Sequence, residues 1–153
     1  MEVGKINKYI HYGHKHFDIA AFEPIGNMHS MTKPRGGLWA SSVKAKFGWK
    51  EWNDENEFRE CNSEYSFVFT LNSGAKVLTI NKSSDLIDLP RVENKWGMLS
   101  WATLDFEKLK EEYDAIEVNI SSDDKLYWDL YGWDCDSILV MNPDGVIEMK
   151  EEN

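Results

Sequence analysis

The chain has 153 residues, with 42% hydrophobic and 29% charged residues. That suits one domain spanning 1–153 that buries about 68–70% of its unfolded surface, and it excludes disordered and collagen-like classes. No run of 18 apolar residues exists, which argues against a membrane span. The start Met1-Glu2-Val3-Gly4-Lys5 lacks the apolar stretch of a secretory signal, and the only cysteines are Cys61 and Cys135, so a cytoplasmic chain with free thiols is expected. The net charge of −10 is unevenly spread: residues 1–50 hold eight Lys/Arg against three Asp/Glu, and residues 51–153 hold nine against 24. Global acidity opposes nonspecific nucleic-acid binding. The basic first third still suits one small anion.

In chain order, Tyr9-Ile10-His11-Tyr12 is a short strand closed by Gly13, and residues 17–32 suggest a short helix and loop. The Pro34-Arg35-Gly36-Gly37 turn leads into a second strand at Leu38-Trp39-Ala40-Ser41. A polar amphipathic helix is expected around 49–60. Tyr65, Phe67, Phe69 and Leu71 alternate on one strand face, and after Asn72-Ser73-Gly74 the next strand covers 76–80. Phe106, Leu109 and Tyr113 have helical spacing, with Thr103 or Asp105 as N-cap. Ile116, Val118 and Ile120 form a half-exposed strand. Ile138-Leu139-Val140-Met141 is apolar on both faces, as a central strand would be. The turn Asn142-Pro143-Asp144-Gly145 lets 146–149 pair back. This order predicts a small α+β domain with mostly antiparallel strands.

Aromatic residues are dense, with seven Trp, six Tyr and seven Phe. Trp39, Trp49, Trp52 and Trp133 stand beside Gly or short polar residues, which suits a planar ligand as well as a packed core. Among His11, His14, His16 and His29 only His14 and His16 have strand-face spacing, and nothing nearby completes a metal site, so none is expected. Cys135 lies between Asp134 and Asp136, an acidic setting that argues against a thiolate nucleophile.

Three segments together resemble the ADP-ribosyltransferase fold, particularly the branch of the poly-ADP-ribose polymerases. They are Ile10–His14, Lys33–Ser42 and Gly132–Asp144, together about thirty positions. The resemblance implies a split, mostly antiparallel sheet and NAD as substrate, with ADP-ribose passed to an unknown acceptor. His11 resembles the family histidine that contacts the ribose, flanked by Tyr12 and Gly13. Gly37-Leu38-Trp39-Ala40 resembles the glycine-aromatic strand, with Trp39 on the nicotinamide and Ser41 or Ser42 supplying a hydroxyl. Lys33 and Arg35 would meet the pyrophosphate, since a guanidinium fork suits phosphate oxygens. Trp49 would form a pocket wall. Counting back from Asn142, the family's catalytic Glu position falls on Ser137, with Asp136 just before it. The resemblance therefore puts Asp136 in the catalytic role, stabilising oxocarbenium-like charge, with Ser137 beside the cofactor. A regular strand there would instead turn Ser137 to the cleft and leave a nucleotide-binding module without transfer. A protein–protein interaction domain with exposed aromatics is the third reading.

Overall fold

The computed structural model describes residues 7–28, 33–45, 47–51, 63–91, 104–130, 133 and 135–149. Among the described residues seven strands form one sheet in the order β4-β5-β6-β2-β1-β3-β7. They are β1 (Tyr9–Tyr12), β2 (Leu38–Ser42), β3 (Ser66–Leu71), β4 (Val77–Ile80), β5 (Ala115–Val118), β6 (Ser137–Val140) and β7 (Val146–Glu148). Two helices outside the 49–51 segment are described, α1 (Phe106–Leu109) and α2 (Asp124–Asp129). The α+β class holds, but the sheet is mixed rather than mostly antiparallel. β4 and β5 run parallel in the register Val77↔Ala115 to Ile80↔Val118, across a connection that carries α1. Among the described residues no helix is long and apolar enough to cross a membrane.

Register sorts the side chains onto two faces, because residues opposite each other point the same way and successive residues alternate. Trp39 pairs with Leu139, which pairs with Ile116. This face meets Phe106, Leu109, Leu126 and Trp133 in the larger core cluster. On the other face, Tyr9 pairs with Phe69 and His11 with Phe67, while Ala40, Ile138 and Val140 continue the second cluster. Phe17 and Phe22 from the β1–β2 connection pack on this second cluster.

Several local choices are visible in the residues. Asp105, one of the two expected caps, accepts from the Lys108 amide at 3.1 Å at the start of α1. Asp123 caps α2 in the same way, accepting from Lys125. The helix expected around 49–60 lies mostly outside the described residues, which are helical at 49–51. No helix forms over 17–28; a single 3-10 turn at Ile19–Ala21 is followed by extended chain. The Gly36-Gly37 pair is more than an ordinary turn. Both have φ of +80°, and a Cβ on Gly36 would lie 2.2 Å from the Pro24 carbonyl oxygen. A Cβ on Gly37 would lie 2.4 Å from Leu139 Cδ1. Only glycine permits both the dihedral angle and the approach.

Candidate functional site

The ends of β1 and β2 bring several of the expected site residues together. Lys33 holds its ammonium 5.4 Å from the Trp39 ring centroid and 4.9 Å from that of Trp49, a distance at which the π faces attract a cation. The two indoles meet edge to face with centroids 6.3 Å apart. Trp49 reaches this corner because Ser41 docks its segment. The Ser41 hydroxyl donates to the Asp136 carbonyl at 2.8 Å and accepts from the Trp49 amide at 3.0 Å. The Asp136 amide donates to the Phe47 carbonyl at 2.8 Å, tying the same segment to the start of β6. Ser41 is thus a buried joint whose hydroxyl is engaged on both sides. Arg35 is exposed, and its backbone exchanges two hydrogen bonds with Gly26.

His11 sits on the neighbouring strand, but its ring turns the other way. Its Nδ1 is 2.7 Å from the Trp39 carbonyl oxygen. A carbonyl only accepts, so Nδ1 carries the proton and Nε2 is left as an acceptor. His14 Nδ1 lies 3.0 Å from that Nε2, and the two rings stack. Burial lowers the His11 pKa, opposed by the Trp39 carbonyl and reinforced by His14. The His11 ring also meets Phe67, at 5.1 Å, whereas the Trp39 ring also meets Trp133, at 4.9 Å. Those partners belong to opposite faces of the sheet. The resemblance puts His11 on the ribose and Trp39 on the nicotinamide of one ligand, and so in one cleft. This is corrected: their strands are neighbours, but their side chains lie on opposite faces, linked through the Trp39 backbone carbonyl.

Asp136 does not reach the Lys33 corner with its carboxylate. Its Oδ1 accepts from the Ser121 amide at 2.8 Å and its Oδ2 from the Ser121 hydroxyl at 2.7 Å. The residue is 7% exposed. It ties the turn after β5 to the entry of β6, which supplies what a buried carboxylate needs to stay in place. Ser137 is buried as well, donating to the Cys135 carbonyl at 3.0 Å. Leu38 belongs to the second core cluster and Trp133 is fully buried in the first, so both pack the interior. Tyr12 ends β1 half-buried, and Gly13, with φ of +120°, donates its amide to the Tyr65 carbonyl at 2.7 Å. Trp52, His29 and Asp134 lie outside the described residues. Among the described residues no group of three or more His, Cys, Asp or Glu is placed to hold a metal ion.

One pair escaped the sequence reading. Glu117 shares the face of Tyr9 and His11, opposite Ile138 in the register, and its carboxylate is hydrogen-bonded to the Tyr9 phenol. Burial raises the Glu117 pKa, and the Asp136 charge adds to this against the phenol hydrogen bond. Burial, then the Glu117 charge, push the Tyr9 phenol up to about 12. The alternation Ile116-Glu117-Val118 reads as a solvated strand face, but β5 is a central strand lying between β4 and β6. The available signal was a lone acid within a strand otherwise buried at every position. No family profile, curated protein or solved structure matches the chain.

Proposed function

We propose that this chain is a nucleotide-binding module that takes NAD or an ADP-ribose-type nucleotide at the corner of Lys33, Trp39 and Trp49, with Arg35 from the same turn reaching its phosphates, without transferring ADP-ribose. The observation that carries the reading is the Lys33 ammonium set over two indoles at the entry to β2. Half-buried indoles accept a planar base or nicotinamide ring, and the Lys33 ammonium beside them suits a phosphate. Binding is favoured over transfer by the carboxylate of Asp136, whose two oxygens are both engaged by Ser121. Cleavage of the nicotinamide–ribose bond needs a carboxylate free to meet the developing positive charge.

Calorimetric titration of NAD and of ADP-ribose tests the binding. Arg35→Ala is expected to lose about 1.5–3 kcal/mol, the worth of a charge-assisted hydrogen bond. Equal affinity would remove Arg35 from the site, and no binding by the wild type would favour the interaction-domain reading. Nicotinamide release from NAD is the second measurement. The expected result is none; turnover that falls 10²–10³-fold in Asp136→Ala would restore the transfer reading, at about the factor a lost electrostatic stabiliser costs.

A further inference from the structure

The connection between β1 and β2 is attached very unevenly. Residues 23–26 and 35–37 are fixed through the backbone: the Glu23 carbonyl accepts from the Gly37 amide at 2.9 Å, and Gly26 and Arg35 exchange bonds of 3.0 and 2.8 Å. Asn27 is then knitted into the start of α1, accepting from the Phe106 amide at 2.8 Å and donating to Asp105 at 2.8 Å. The first half, 14–22, is different. Among the described residues it makes no backbone-to-backbone hydrogen bond to the sheet; its own are local, Ala21 to Asp18 and Phe22 to Ile19.

Side chains hold this half down instead. The Glu148 carboxylate accepts from the Phe17 amide at 2.6 Å and from His16 Nδ1 at 2.8 Å. Glu148 points this way because β7 places it opposite Phe69, on the face that the connection crosses. Phe17 rests 6.2 Å from Phe67, Phe22 packs on the same cluster, and His14 stacks on His11. Gly13 stands at one end, with φ of +120°, and the Glu23 anchor at the other. A segment with few buried contacts and no ladder bonds lies at the low end of local stability.

The geometry points to a latched strap: residues 14–22 open as a unit over the sheet face that bears Tyr9, His11 and Phe67, and Glu148 is the latch. A cover over purely apolar residues would be ordinary packing. Here the covered face also carries the Tyr9–Glu117 pair and the His11 imidazole, whose Nε2 acceptor is capped by His14. Opening takes His14 off that nitrogen and offers it to a hydrogen-bond donor from solution. The device needs no nucleotide, so it stands or falls apart from the binding reading.

Amide hydrogen exchange on the intact, ligand-free chain tests it, alongside acylation of His11 by diethyl pyrocarbonate mapped by peptide mass. In Glu148→Ala the amides of 14–22 are expected to exchange about tenfold faster or more, from loss of a charge-assisted bond. His11 acylation rises with them, while β3 and β7 keep wild-type protection. Glu148→Gln, which keeps an acceptor for Phe17 and loses the charge, falls between. Unchanged exchange of 14–22 in folded Glu148→Ala overturns the proposal. So does an equal rise in β3 and β7, which would make Glu148 a holder of the strand rather than of the strap. If Glu148→Ala does not fold, the same comparison on Glu148→Gln decides.

Discussion

The two faces of the sheet are closed by different means. The Trp39 face is covered by elements that bring their own hydrogen bonding, with Phe106 and Leu109 from α1 and Leu126 from α2 meeting Trp133. The His11 face is crossed by an extended connection that contributes Phe17 and Phe22 and a set of polar side-chain ties. The first face carries the larger cluster of buried apolar residues. The second leaves titratable groups beneath a segment, 14–22, that among the described residues makes no backbone-to-backbone bond to the sheet. The larger share of the stability is therefore expected from the first face.

That contrast has a direct test in truncation. Trp133→Ala is expected to destabilise the chain by about 3–5 kcal/mol, the cost of emptying a fully buried aromatic site. Phe17→Ala, from a half-buried position, is expected to cost about 1 kcal/mol. Denaturant midpoints at unchanged m-value measure both. Comparable losses would erase the distinction between the faces.

The next effect concerns Asp136. Removing its carboxylate in Asp136→Ala leaves the Ser121 amide and hydroxyl without their acceptor. The expected cost is about 1–3 kcal/mol of stability, read by thermal unfolding. A variant of wild-type stability would mean that the residue is not a structural tie.

The smallest effect is a pH dependence specific to the His11 face. The folded Tyr9 phenol ionises at about 12, above its ordinary value of 10.0. The neutral phenol is favoured in the folded chain, so this contribution is fully present below pH 10 and is lost as the pH rises through about 12. Alkaline unfolding should therefore steepen in that window, with one tyrosine titrating late by ultraviolet absorbance, and Tyr9→Phe should abolish both. His11 works in the opposite direction. Its folded pKa lies below 6.5, so the unfolded chain takes the proton first and stability declines as the pH falls below that value. An Asn in place of His11 should flatten the acid limb.

Strand positions were legible because a period of two leaves a strong trace: Phe67 and Phe69 were expected on one face, and both are buried there. The parallel pairing of β4 with β5 was not legible, since nothing local to Val77–Ile80 names a partner 38 residues away, the separation of the Lys76–Asp114 bond that closes it. Adjacency of β1 and β2 followed from the order of segments, but the facing of His11 and Trp39 depended on register, which a one-residue shift reverses. Asp136 was read from its own strand, whereas its role is decided by Ser121, on another element. The strand of Ile116 and Val118 was expected to be half-exposed, yet it is buried but for the half-buried Glu117, because burial of a central strand's second face depends on the whole sheet. Glu148, at the end of the last strand, carried no signal beyond charge.

The seam between β2 and β6 has a consequence for how the chain assembles. Among the described strands it joins β4-β5-β6 to β2-β1-β3-β7, and the bond between Ser41 and Asp136 beside it spans 95 residues of sequence. Contacts so distant in sequence form slowly, so β4-β5-β6 and β2-β1-β3 are expected to form before they merge. Until they do, β2 and β6 each present a bare ladder rim to other chains. The merging of β6 with β2 is the step at which productive folding and self-association compete.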